Sequence, residues 1–328
     1  MSNMKVSEIL KKRDKTQLSF EILPPLKGNN IEAIYSALDK LIVFKPIYIN
    51  VTYHREEVVY KENHSGLLEK KIIRKRPGTI GISAALKYKY KVEVVPHIIC
   101  GGFTCEETEE ALVELNYIGI KNILAIRGDA DKSTGKFMPE KSGHIHSLEL
   151  VKQIVNLNNG VYLDEDLQIK TASDFCIGVA GYPEKHKEAP NLNFDIEILK
   201  KKIDAGAEYI VTQMFFDNRH YFRFVEKCLN HGINVPIVAG IKPVSIFKHI
   251  NSIPQTFNVE IPENLEKQVS SCKTNDDVRK VGIEWAIKQS EELIRANVPA
   301  IHYYTMGKTD NIEKICKNAG FSTNTHLH

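Results

Sequence analysis

No stretch of the 328-residue chain approaches the ~20 consecutive apolar residues that a membrane-spanning helix needs. The opening segment, MSNMKVSEILKKRDK, lacks the apolar core of a secretory signal and reads as a short amphipathic helix. Charge of one sign is also missing. The 44 Lys and Arg residues stand against 41 Asp and Glu, a net of +3, too little to argue for nucleic acid as a partner. One local basic run, KKIIRKR at 70–76, is of the kind that usually forms a solvated face. The six cysteines (Cys100, Cys105, Cys176, Cys228, Cys272 and Cys316) include no CxxC pair, and none has companions at zinc spacing. We expect reduced thiols in a cytoplasmic protein, with Cys176 a small core residue. GxGxxG after a strand, Walker A, GxSxG and HExxH are all absent, which removes a Rossmann site, a P-loop, a serine hydrolase and a zincin.

What the chain does have is a repeated strand pattern. The run LSFEILPP at 18–25 places one carboxylate, Glu21, among apolar residues. A carboxylate there is expensive to bury without a partner, so it is either solvated at a strand end or held for chemistry. Five later β-rich runs also carry polar residues at their C-terminal ends: IYINVTYH, VEVVPHIIC, ILAIRGD, FCIGVAGYPEKH and YIVTQMFFD. Candidate strands at 18–23, 47–53, 92–99, 122–127, 175–181, 208–215, 236–241 and 299–305 number eight, enough to close a barrel. Helical stripes alternate with them: one near 30–43, a Thr104–Glu107 capping box, a stripe from Ile196 to Ile203, one at 218–231, and a long helix near 275–297. No linker or composition shift interrupts the chain. The expected fold is α/β, a single-domain (β/α)₈ TIM barrel over 1–328 with a short N-terminal helix and a C-terminal tail.

In such a barrel the strand ends form the active face. Arg127, Gly128 and Asp129 end the fourth strand and open an irregular segment at 128–143. They read either as a Gly-Asp turn with a surface ion pair or as backbone made to approach a ligand. His97 is either a satisfied core histidine or a site residue. With no second His at ligand spacing, and His144/His146 lacking a third ligand, no metal is expected. Tyr182 and His186 end the fifth strand and could stack on or hydrogen-bond a planar group. Asp195, Lys201 and Lys202 follow on the next helix, the lysines either solvated or reaching a pyrophosphate. Gln213 needs its amide satisfied, by backbone or by a substrate.

Taken in order, SFEILPP, NVTY, PHIIC, IRGD, VAGYPEKHKEA, DAGAEYIVTQMFFD and GIKPVS resemble the methylenetetrahydrofolate reductase family over nearly the whole chain. The resemblance implies a (β/α)₈ barrel that binds FAD. The flavin takes hydride from NADH or NADPH and delivers it to 5,10-methylenetetrahydrofolate, supplying methyl groups for methionine synthesis. It implies Glu21 as general acid at the folate N10, tuned upward by its apolar run. Asp129 becomes an anion beside flavin and pterin, stabilising a cationic iminium. Gln213 becomes a contact for folate and, alternately, nicotinamide, and Thr52 lies near the nicotinamide. Tyr53, His97, Arg127, Gly128, Asp129, Tyr182, His186, Ala189, Asp195, Lys201 and Lys202 become flavin contacts, with Ser147 near another. A homo-oligomer without nucleic-acid or membrane partners is expected.

Three departures from the family pattern stand out. His54-Arg55-Glu56-Glu57 replaces a small, Gly-rich stretch, leaving the roles of His54 and Arg55 open. Gly307-Lys308 replaces Asn-Arg, which changes a fork-shaped carboxylate contact into a point charge. His249 stands where relatives carry Gln. Lys308 is thereby expected at the folate's glutamate tail, and His249 at another folate contact. The resemblance leads us to expect a catalytic barrel alone, without the regulatory domain that larger relatives append. Two competing readings are a flavin barrel acting on another small substrate, in the manner of proline dehydrogenase, and a catalytically silent scaffold.

Overall fold

The computed structural model describes residues 4–130 and 135–322. The chain opens with α1 (Val6–Lys11), β1 (Gln17–Ile22), α2 (Glu32–Ile42) and β2 (Tyr48–Val51). A hairpin of β3 (Glu57–Glu62) and β4 (Leu68–Ile73) follows, then α3 (Thr79–Tyr90) and β5 (Glu93–Ile99). Next come α4 (Cys105–Tyr117), β6 (Asn122–Ile126), α5 (Ser147–Asn158), β7 (Cys176–Gly181), α6 (Leu192–Asp204), β8 (Tyr209–Thr212) and α7 (Asn218–Asn230). The last elements are β9 (Ile237–Ile241), α8 (His249–Phe257), α9 (Glu263–Ser270), α10 (Asn275–Arg295), β10 (Ala300–Tyr304) and α11 (Thr309–Asn318).

Eight parallel strands close in the order β1-β10-β9-β8-β7-β6-β5-β2, the ring of a TIM barrel. Nearly every strand residue is buried, because one face meets the helices and the other meets the axis. The axis is filled by Tyr48, Val95, Leu124, Cys176, Tyr209, Val211, Val238 and Ala300. The amphipathic N-terminal segment joins this cluster: α1 contributes Val6 and Leu10. The Asn122 side chain, at the start of β6, accepts from Val6 N–H and donates to the Met4 carbonyl, fixing α1 across the N-terminal end of the barrel. The opposite end is left for chemistry.

The helices sit where the apolar stripes placed them, and the Thr104–Glu107 capping box closes from both sides. All six cysteines are free and Cys176 is fully buried. The hairpin is a correction, since no strands were expected between the second and third barrel strands. Lys70 and Lys71 of the basic run lie on exposed β4, opposite Tyr60 and Val59 of β3. The turn is built on Asn63, whose side-chain oxygen accepts from the N–H groups of Ser65 and Leu67. A second difference lies between β9 and β10. There α8 and α9 precede the long helix, packing Ile253, Val259, Leu265, Val269 and Val278 against Met214, Phe216 and Val244 beside the barrel mouth.

Two glycines let the interior close. A Cβ on Gly178 would lie 2.3 Å from the Tyr209 ring, and one on Gly240 would lie 2.2 Å from the Thr212 carbonyl. Gly178→Ala should therefore destabilise the fold by about 1–3 kcal/mol through overpacking. Gly81→Ala, in a helix with nothing near its Cβ, should stabilise by about 0.4–1 kcal/mol. Urea-denaturation midpoints moving in opposite directions would bear this out. An unshifted Gly178→Ala midpoint would contradict the packing of Tyr209.

Candidate active site

Glu21 lies near the C-terminal end of β1, 9% exposed. Burial, and then the charge of Asp129, push its carboxyl up to about 8. His97 Nε2 is 3.6 Å from Glu21 Oε2, a contact too long for a hydrogen bond. Burial, and then His54, push His97 down to about 3. Both groups are therefore uncharged at neutral pH, and the contact is not a salt bridge. Asn50 lies 3.2 Å from the same His97 nitrogen. Beneath them Ser19 Oγ bonds His302 Nδ1 at 2.8 Å, and Tyr48 stacks on the His302 ring. Thr305 donates to the Glu21 carbonyl, locking β1 to the segment after β10.

A second group forms past β6 and β7. Gly128 has φ +87°, which favours glycine, and it places exposed Asp129 at the mouth. Arg127 forks onto Glu188 at 2.6 and 2.8 Å and lies over the Phe137 ring. Tyr182 and His186 meet edge to face, with centroids 4.8 Å apart. Asp195, in the first turn of α6, accepts from the His186 N–H at 2.7 Å. The Lys202 side chain, two turns further along the same helical face as Asp195, has no hydrogen bond or ion pair among the described residues; burial lowers its pKa, and the Asp195 carboxylate acts the other way. Ala189 is buried and accepts from Lys185. Ser147 is the buried first residue of α5. Lys201 is exposed and is not among the charges that act on Asp195, His186 or Arg127. It stands apart from this group.

The β2 side holds Thr52, whose Oγ1 lies 3.3 Å from the Ile22 carbonyl and 3.2 Å from His54 Nε2. Tyr53 packs on Phe103 at 4.9 Å between centroids. A cavity of about 700 Å³ opens here, lined by Tyr53, Arg74, Thr79, His97, Phe103 and Glu107. His54 and Arg55, left open from sequence, both fold over this rim. His54 bears on His97, and Arg55 packs against the glycines after β5. On the far side, Gln213 follows β8 with its Oε1 accepting from Met214 N–H. Beyond β9 and β10 stand His249, at the start of α8, and exposed Lys308, just before α11. His144 contacts Gln153 and Cys105 while His146 precedes α5, and both act on the Glu149 carboxylate. Glu184, His220 and Glu260 do bring ligand atoms within 4.8 Å of one another, but Arg223 lies 3.3 Å from His220 Nδ1 and opposes a cation there.

A model of the methylenetetrahydrofolate reductase family matches residues 5–320. The chain belongs to the methylenetetrahydrofolate reductase family. It is 32% identical to 5,10-methylenetetrahydrofolate reductase of Pectobacterium carotovorum over 92% of this chain and 90% of that one. Identity to the Escherichia coli 5,10-methylenetetrahydrofolate reductase is 31% with the same coverage. A methylenetetrahydrofolate reductase (NADH) of Arabidopsis thaliana is 30% identical over 97% of this chain, which spans 51% of that protein. Among solved structures, a Clostridium thermocellum protein that binds two copies of 5-methyl-5,6,7,8-tetrahydrofolic acid superposes with a TM-score of 0.56. It is 13% identical, covering 96% of this chain and 97% of that one, and it supports the fold alone.

Membership of the methylenetetrahydrofolate reductase family makes the chain an oxidoreductase of folate one-carbon metabolism that reduces methylenetetrahydrofolate. Among the described residues no helix is long and apolar enough to cross a membrane. Lys242, buried one residue beyond β9, is the residue near this mouth that sequence reasoning passed over. It sits in the quoted GIKPVS motif, where the signal was a charged residue directly after an apolar strand.

The Glu21 carboxyl ionises near 4.5 in an unfolded chain and near 8 in the native one. Between those values the folded state holds an extra proton, so stability is intact below the lower value and declines as pH rises toward the upper. Glu21→Gln should therefore show a Tm gain over the parent that is small at pH 5 and grows up to pH 8 or above. A gain independent of pH in thermal scans would contradict the raised pKa.

Proposed function

We propose that the chain reduces 5,10-methylenetetrahydrofolate to 5-methyltetrahydrofolate in two ping-pong half-reactions, with NADH or NADPH as hydride source and FAD as resident cofactor. The observation that carries this reading is a buried carboxylic acid kept protonated at neutral pH at the mouth of a folate-family barrel. Opening the imidazolidine ring needs a proton on N10, and a group poised near 8 can hold one and release it. Glu21 is that acid. Asp129 lies close enough to raise the Glu21 pKa, so its anion reaches the same space and would stabilise the cationic iminium that ring opening leaves at N5.

The residues past β6 and β7 fit a flavin dinucleotide. Half-buried Lys202, whose side chain makes no hydrogen bond or ion pair among the described residues, suits a pyrophosphate, as does Arg127 once its Glu188 contact gives way. Gly128 keeps a side chain away from the mouth, and Tyr182 with His186 offers ring faces. When bound, the flavin supplies two-electron transfer between nicotinamide and folate. Thr52, Tyr53 and His97 border the same mouth from the β2 side. Gln213 presents its side-chain amide from the β8 side, where folate and nicotinamide would alternate. Methyl supply for methionine synthesis, a cytoplasmic location and a homo-oligomeric state complete the proposal.

Two measurements test it. Acid precipitation should leave all the flavin in the supernatant as FAD. FMN, or colour retained in the pellet, would contradict the assignment of the Tyr182–Lys202 group. In stopped-flow, Glu21→Gln should keep flavin reduction by the nicotinamide near the parental rate and slow reoxidation by methylenetetrahydrofolate at least ~100-fold. Equal slowing of both halves would make Glu21 structural.

A further inference from the structure

Lys242 is 7% exposed. It makes no hydrogen bond or ion pair among the described residues. It stands one residue beyond β9, and the two-residue period of a strand puts Val238, Gly240 and Lys242 on one row. That row faces the axis: Val238 belongs to the interior cluster, and a Cβ on Gly240 would strike the Tyr304 ring. Lys242 therefore points into the mouth on the β10 side.

Its electrostatic surroundings are all of one kind. The charge acting on it is Lys308, and the charges acting on His249 are Lys242 and Lys308. Among the described residues no carboxylate takes part. His249 Nδ1 accepts from Ser245 N–H at 3.2 Å, which leaves Nε2 as its free ring nitrogen. Lys308 immediately precedes α11, a ten-residue helix whose N-terminus adds positive potential. Burying an ammonium group without a counter-ion is costly, and a second ammonium nearby adds to the cost. A fold that only needed to fill this position would place Leu or Met there. The arrangement is incomplete without an anion, and the mouth is open to one.

We propose that Lys242 is a specificity-determining residue that binds a carboxylate of the substrate's glutamate moiety, beside Lys308 at the end of the neighbouring strand. This rests on the folate reading above and goes beyond it by assigning a carboxylate contact to a residue that the family resemblance did not supply. Lys242 acts from the barrel wall and Lys308 from the solvent edge, so the two can hold the two carboxylates of one glutamate.

The test compares two ligands on the FAD-loaded protein by equilibrium dialysis: 5-methyltetrahydrofolate and 5-methyltetrahydropteroate, which lacks the glutamate. The parent should prefer the glutamate-bearing ligand, and Lys242→Leu should cut that preference by roughly 10-fold or more, the scale of one charge-assisted hydrogen bond. Affinity for the pteroate should stay within about 2-fold of the parent. The unliganded Lys242→Leu protein should also unfold at higher urea, because an unpaired buried charge has gone. Lys242→Met serves the same comparison if the leucine variant does not fold. An unchanged preference in a variant whose parent binds folate overturns the role of Lys242 alone. A parent that binds neither ligand overturns the folate reading and this proposal with it.

Discussion

Glu21 is a carboxyl group placed where little solvent reaches it and where no cation among the described residues acts on it. The imidazole that faces the carboxyl, His97, is itself held neutral. A charged imidazole 3.6 Å away would attract the carboxylate form and pull the acid back toward its ordinary value. Keeping the acid protonated therefore requires the layer around it to be polar but uncharged, and this is what the strands provide: Asn50, Ser19, His302, Tyr48 and Thr305. His302 is held down to about 3 by burial and then by His97, so the layer below adds no charge either.

Charge is instead distributed around the rim. Arg127 and Lys202 stand past β6 and on α6, and Lys242 and Lys308 follow β9 and β10, with Asp129 between Glu21 and the first group. Parallel strands give this separation without special loops, because each strand delivers its C-terminal residues to one face at its own angle around the axis. The N-terminal end is closed by α1, whose Val6 and Leu10 pack onto the interior cluster. The result is a proton donor at the centre of the mouth with anion-holding groups at its edges, the layout a long, anionic, two-ended substrate or cofactor requires.

All eight barrel strands were legible in the sequence because strands buried on both faces read as near-continuous apolar runs. Their ends were less clear. The sixth candidate, 208–215, continues in sequence through Met214 and Phe215, yet β8 stops at Thr212 and those side chains pack into clusters outside the ring. The hairpin escaped because neither of its faces is a core face: Tyr60, Leu68 and Ile72 are exposed, so it shows no buried alternation. Its turn residues, Asn63 to Gly66, were the available signal. At the site, Glu21, Asp129, Tyr182, His186 and Lys202 converge as read. Lys201 does not, since adjacent helical residues point about 100° apart and only one of the pair can face the mouth. Lys242 was missed because its significance lies in lacking a partner, which a sequence does not record.

The central claim is that Glu21 carries a proton at neutral pH. Difference infrared spectroscopy of the parent minus Glu21→Gln, titrated from pH 5 to 9, isolates the carbonyl stretch of this one acid. The account predicts a protonated-carboxyl band that persists through pH 7 and disappears with a midpoint near 8. A band lost near pH 4.5, the ordinary value for a glutamate, would contradict it.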